Sequence, residues 1–238
     1  MAGYLRIAAA VDVARPPLFR PPLGMPINAV IDLSRNDPRA DFAAAAAADI
    51  VGVIHKATEG VGYVDPVYAK REPQARRAGL LWGAYHFGTG RHAGADQADY
   101  FLGKVCGSAD TLLVLDLEEN PSGPSMSLDQ ARDFVVRVHD CRGRWPGLYA
   151  GHYLREQLGD ADEAVLTHCW LWFAQYASTP TRLPPQWQNW TMWQYTDGKN
   201  GREPRTVPGI GPCDRELFNG NLAELRALWV GAPALDVA

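Results

Sequence analysis

The run Leu113-Val114-Leu115-Asp116-Leu117-Glu118-Glu119-Asn120 ends an apolar, β-favouring stretch in two acids two residues apart. Alternate side chains of a strand share a face, so Asp116 and Glu118 point the same way. Carboxyls at the end of a buried strand are costly unless a site uses them. Paired carboxyls in different environments are the usual equipment for breaking a glycosidic bond. One holds a proton for the departing oxygen, and the other stays charged beside the anomeric carbon. The plain alternative is two solvated acids at a strand end. Asp32 and Asp214 would add negative potential to such a site, or else serve as turn residues before Ser34 and after Pro212.

Other chemistries find less support. His86, in Trp82-Gly83-Ala84-Tyr85-His86-Phe87, has no second His or Cys spaced to share a metal, so a hydrogen-bonded core or pocket-wall histidine is the better reading. No Gly-x-Ser-x-Gly elbow is present, and Gly83, Gly88 and Gly90 form no phosphate loop. The cysteines, Cys106, Cys141, Cys169 and Cys213, are widely spaced and match no zinc pattern; free thiols are expected in a reducing compartment, with Cys169 in the core. The net charge of −4 argues against general affinity for nucleic acid. No apolar run approaches the ~18 residues that span a bilayer. Ile7 to Val11 is cut short by Asp12 and makes a poor signal peptide, so an export route other than a standard leader is expected.

Aromatic supply points to sugar. Of eight tryptophans, five lie between Trp170 and Trp193. Sugar rings stack their C–H faces on such rings while Tyr and Gln bond the hydroxyls. Trp172 and Trp193 are therefore candidates for a groove wall, with core packing as the alternative.

The elements that must position these residues alternate. Residues 1–26 hold five prolines and are expected to form an extended arm; the domain spans 27–232, and 233–238 is a tail. Strands are expected at Asn28–Leu33, Ile50–His55, Leu80–Phe87, Leu112–Glu118, Gly147–Ala150, Trp170–Tyr176 and Trp190–Thr196. Helices are expected near Asp41–Ala48, from Asp65 to about Gly79, across Ala93–Val105, after Ser127, and at Leu222–Trp229. Ser127 and Gln130 fit a capping box, and Ala131, Phe134, Val135 and Val138 make one buried helical face. This pattern is an α/β fold: an irregular TIM-like β/α barrel of about five βα units plus three further strands. Active sites in such barrels lie at the C-terminal ends of the strands. Asp32, Lys56, Glu59, Tyr85, His86, Asp116, Glu118, Tyr149, Tyr176, Gln194 and Asp214 fall there.

Taken in order, Val30-Ile31-Asp32-Leu33-Ser34, Lys56-Ala57-Thr58-Glu59-Gly60, Gly83-Ala84-Tyr85-His86-Phe87, Leu115-Asp116-Leu117-Glu118, Tyr149, Leu171-Trp172-Phe173-Ala174 with Tyr176, and Met192-Trp193-Gln194-Tyr195 before Asp214 resemble the Chalaropsis-type lysozymes of glycoside hydrolase family 25. The resemblance implies a lysozyme, cleaving the β-1,4 bond between N-acetylmuramic acid and N-acetylglucosamine of bacterial peptidoglycan without metal or cofactor. It implies Glu118 as general acid, Asp116 as its partner, and Asp32 and Asp214 as supporting acids. Lys56, Glu59, Tyr85, His86, Tyr149, Trp172, Tyr176, Trp193 and Gln194 become candidate substrate contacts. A monomer acting at the cell wall, extracellular or periplasmic, is expected, reached by phage lysis or a secretion system. Hydrolysis of another amino-sugar polymer such as chitin, or an inactive carbohydrate-binding barrel, are the alternatives. One departure is local: the family's final Asp is followed by x-Asn-x-Phe, whereas here Asp214-Arg215-Glu216-Leu217-Phe218 places an acid where an amide is expected, which makes the role of Asp214 less secure.

Overall fold

The computed structural model describes residues 25–105 and 110–231. The arm to residue 24, Cys106 and the tail lie outside these. The strands are β1 (Ile27–Leu33), β2 (Gly52–Glu59) with its short hairpin partner β3 (Tyr63–Val64), β4 (Leu81–Phe87), β5 (Leu112–Leu117), β6 (Gly147–Ala150), β7 (Trp170–Ala174), β8 (Met192–Asp197), the small hairpin β9 (Thr206–Val207) and β10 (Gly211–Pro212), and β11 (Asp214–Phe218). Six helices among the described residues are α1 (Phe42–Ala47), α2 (Tyr68–Arg77), α3 (Gly94–Lys104), α4 (Leu128–Arg142), α5 (His152–Leu158) and α6 (Leu222–Val230).

Eight strands close into a barrel in the order β1-β2-β4-β5-β6-β7-β8-β11. All neighbours run parallel except β11, which is antiparallel to both β8 and β1. Helices α1, α4 and α6 begin where side chains satisfy their free N–H groups. Asp41 accepts from Ala44, and both Ser127 with Gln130 and Asn221 with Glu224 form complete capping boxes. Gly143 and Gly231 end α4 and α6 in the left-handed conformation.

Two layers of core result. Inside the barrel, Val30, Ile54, Leu112, Val114, Trp172, Met192 and Phe218 pack together, with Trp229 of α6 among them. The fit is tight at the start of β2: a Cβ on Gly52 would lie 2.8 Å from the Trp229 ring. The Trp229 Nε1–H donates to the Trp82 carbonyl at 2.8 Å. Outside the barrel, Leu33, Trp82, Phe101, Leu115, Phe134 and Val138 fill the space between strands and helices.

Three elements differ from expectation. β2 runs on from His55 to Glu59, because a bulge between Lys56 and Thr58 keeps it paired with β4 while β3 pairs with its end. β11 was not foreseen as a strand. Asp214-Arg215-Glu216 is too charged to look like one, yet it closes the barrel between β8 and β1. Helix α5 was likewise not expected.

Candidate active site

Because β11 runs backwards, its first residue arrives at the end of the barrel where the parallel strands finish. Asp214 is directly opposite Asp32 of β1. Glu216, two residues on, pairs with Val30 on one side and Gln194 of β8 on the other. Alternation on β5 brings Asp116 to the same end, opposite Tyr149 of β6, and Glu118 follows just beyond the strand. Lys56 of β2 and Tyr85 of β4 are register partners on the far wall.

Gln194 organises one side of this site. Its Nε2 donates to Asp32 Oδ2 at 2.7 Å. Its Oε1 accepts from the hydroxyls of Tyr149 at 2.8 Å and Tyr176 at 3.1 Å. Gln194 is itself buried, so this network fixes the Asp32 carboxyl in place. Across the site, Lys56 Nζ pairs with Glu59 at 2.7 Å and sits 4.8 Å from the Phe87 ring centre.

The acids are held far from their ordinary state. Burial pushes Asp32 up to about 7, against the pull of its hydrogen-bonding neighbours Glu216 and Gln194. Burial and then the Asp32 charge push Asp214 up to about 9. Asp116 is driven well above the carboxylate range by burial and then by Glu118. Glu118 is raised by burial, with Lys56 and His152 pulling the other way. Asp116 and Glu118 act on each other, so the proton belongs to the pair. Asp116 Oδ1 is buried with no hydrogen-bond partner, whereas Glu118 lines an open cleft of about 430 Å³.

Glu216 was missed as a site residue. It is 0% exposed, and no N–H or hydroxyl of a described residue reaches either of its oxygens. Its hydrogen-bonding neighbour is another carboxyl, Asp32. Two buried carboxylates cannot bond without a proton between them, and Glu216 is accordingly raised well above the usual range, by burial first and by the Asp32 charge second. Its position two residues after Asp214 on one strand face was the available signal. His152, which faces Glu118, was missed along with α5.

Three expected substrate contacts lie elsewhere. His86 is 0% exposed and points out of the barrel, stacked on Phe134 at 5.0 Å and bonded to Thr58 and Gln97. Burial pushes it down to about 3, so it is a neutral tie between β4 and α3. Trp193 is 2% exposed and also faces outward, among Leu171, Phe173 and Tyr195, with its Nε1–H on the Gln175 carbonyl. Trp172 points inward but lies beneath the site, 1% exposed and edge-on to Tyr149. None of the three can stack on a sugar. The aromatic groups that do face the acids are tyrosines: Tyr85, Tyr149 and Tyr176, each raised by burial and by the neighbouring carboxylates. Among the described residues no group of three or more His, Cys, Asp or Glu is placed to hold a metal ion. Cys141, Cys169 and Cys213 are free thiols, Cys169 in the core as expected.

A closed β/α barrel with carboxyls gathered at the ends of its parallel strands defines a glycoside hydrolase of the barrel class. The chain belongs to Glycosyl hydrolases family 25, whose sequence profile matches residues 31–203. It is 35% identical over 182 residues to the N,O-diacetylmuramidase of Chalaropsis sp, covering 70% of this chain and 86% of that protein. It is 31% identical over 203 residues to Lysozyme M1 of Streptomyces globisporus, covering 73% of this chain but only 61% of that longer protein. The solved muramidase from Acremonium alcalophilum superposes with a TM-score of 0.74 at 33% identity, over 87% of this chain and 100% of the other.

Proposed function

We propose that the chain is a muramidase, a peptidoglycan hydrolase that cleaves the β-1,4 bond after N-acetylmuramic acid. The observation that carries this is the gathering of Asp32, Asp116, Glu118 and Asp214 beside an open cleft in a family 25 barrel. In this reading residues 27–232 form the catalytic domain and act as a monomer, with no nucleic-acid partner. The enzyme works on the cell wall, extracellularly or in the periplasm, after phage lysis or through a secretion system.

Glu118 is the general acid, because it is the member of the protonated pair that lines the cleft and can reach a glycosidic oxygen. When its proton leaves with the sugar oxygen, positive charge grows at the anomeric carbon. Asp116 lies beneath, and the negative charge left on the pair opposes it. Asp32, locked by Gln194, adds negative potential that helps keep Asp116 protonated, and Asp214, itself raised to about 9, stands beside Asp32 as a neutral supporting acid. Lys56 and Glu59 form the opposite rim, and Tyr85, Tyr149 and Tyr176 offer ring faces and hydroxyls to the sugars.

The test is digestion of purified peptidoglycan followed by identification of the new reducing ends. Ends on N-acetylmuramic acid are expected. Ends on N-acetylglucosamine, or cleavage of chitin but not of peptidoglycan, would overturn the assignment, and binding without cleavage would leave only a carbohydrate-binding barrel.

A further inference from the structure

The cleft beside Glu118 is not walled by acids. It runs between the end of β6 and the loop after β7, and it is lined by Glu118, Tyr149, His152, Arg155, Tyr176 and Arg182. Arg155 belongs to α5, and Arg182 to the loop between β7 and β8. Several arginines elsewhere are tied, Arg132 to Glu163, Arg137 to Asp99, and Arg71 to the Ser34 and Asp37 carbonyls. The guanidinium groups of Arg155 and Arg182 make no hydrogen bond or ion pair with any described residue. The segment that carries Arg182 is nevertheless built. The Gln175 backbone N–H bonds the Gln194 carbonyl, and its side chain accepts from the Thr181 N–H at 2.7 Å. Arg182 itself holds a φ of 58°, a left-handed conformation that a residue with a Cβ seldom adopts.

We propose that this cleft binds the carboxylate-bearing peptide that peptidoglycan carries on N-acetylmuramic acid, with Arg155 and Arg182 as its anchors. This rests on the muramidase reading. The scissile bond leaves C1 of N-acetylmuramic acid, and the lactyl group bearing the peptide sits on C3 of the same ring. In this reading the branch that opens off the general acid receives that substituent. Stem peptides carry free carboxylates, and an unpaired guanidinium is the side chain suited to take one in a two-pronged hydrogen bond. The division of charge matches the substrate. The acid-lined centre receives an uncharged sugar ring on which positive charge develops, and the cationic cleft receives the anionic peptide. His152, on the same wall, adds a third donor.

The experiment compares kcat/KM on two forms of one glycan: strands bearing their stem peptides, and the same strands stripped of peptide by an amidase and then amidated at the lactyl carboxylate that hydrolysis exposes. The wild-type enzyme is expected to favour the peptide-bearing strands, mainly through KM. In the double variant Arg155→Ala/Arg182→Ala that preference should fall by about tenfold or more, the scale of one lost charge-assisted hydrogen bond. The double lysine variant, which keeps charge but not the fork, should restore part of it, and this also checks that the cleft still folds. Cleavage of both strands by the wild type at equal kcat/KM would overturn this inference alone. So would an equal loss on both strands in the double alanine variant, which would make the cleft a sugar subsite. Failure of the wild type to cleave either strand would overturn the muramidase reading and the inference with it.

Discussion

Along β5 the inward positions pass from Leu112 and Val114 to Asp116; along β11 they pass the other way, from Asp214 and Glu216 to Phe218. One set of strands thus builds two interiors. In the lower one, Val30, Ile54, Leu112, Val114, Met192 and Phe218 are buried against Trp172 and Trp229, and each such side chain contributes about 1.5–3 kcal/mol. In the upper one, carboxyls are buried beside tyrosines, and each would cost several kcal/mol if it stayed charged without compensation. The acids respond by holding protons, and the lower half supplies the surplus that keeps them in place. The two halves should therefore fail differently. Damage above should remove activity and spare the fold; damage below should do the reverse.

The largest effect should come from Glu118→Gln. The amide keeps the shape and cannot give up a proton, so kcat on peptidoglycan should fall by about 10²–10⁴-fold with little change in melting temperature. Near wild-type turnover would remove Glu118 from the chemistry. Next in size, Trp229→Ala should open a cavity under the barrel and cost about 3–5 kcal/mol by chemical denaturation, while the protein that remains folded turns over normally. Trp229 is 1% exposed and packs in the apolar cluster. Loss of turnover at full stability would erase the contrast between the halves.

How much of this was legible depended on whether a face carried a signal. Polar residues at strand ends stood out against apolar runs, so Asp32, Asp116, Glu118, Tyr85, Tyr149 and Gln194 could be picked out, and Ser127 with Gln130 announced α4. The tryptophans could not be sorted in the same way. Trp170-Leu171-Trp172-Phe173 is apolar on both faces, because β7 is buried on both, and a continuous apolar run hides which residue points in. Trp172 went inward below the site and Trp193 outward behind it. β11 was hidden for the opposite reason. Its inward residues are acids, and a strand whose core face is Asp214 and Glu216 looks like a loop until the barrel closes around it.

The protonated upper half has a pH signature. A carboxyl whose folded value lies above its unfolded value binds more protons in the native state, so its contribution is full below the unfolded value and is lost as pH rises through the folded one. Asp32 and Asp214, raised to about 7 and about 9, should therefore make the wild-type protein lose stability steadily from mildly acidic conditions up to pH 9. Activity should decline in the same direction as the Asp116–Glu118 pair gives up its proton. Asp214→Asn removes one of these groups, so its melting temperature should gain on the wild type as pH increases. A difference that stays constant from pH 5 to pH 9 would mean that Asp214 is ionised throughout.

The smallest effect, and the finest probe of the boundary between the halves, is expected at Glu216. It sits where apolar packing gives way to the acid layer, with Asp32 as its hydrogen-bonding neighbour and Asp214 and Cys213 close enough to add to its load. Gln194 faces it from β8. In Glu216→Gln the amide N–H can donate to Asp32 at every pH, so the hydrogen bond survives and the titration disappears. Turnover at pH 5 should stay within about tenfold of wild type, less than the loss of a general acid. Because Glu216 is raised in the fold, its removal should also flatten the loss of stability at high pH, by the same sign argument as for Asp214. Glu216→Ala provides the contrast, since it takes away the donor and leaves a void, and it should cost more in both turnover and stability. If the glutamine variant were as inactive as Glu118→Gln while keeping its melting temperature, Glu216 would belong to the reacting groups, and the boundary would lie one residue deeper in the barrel.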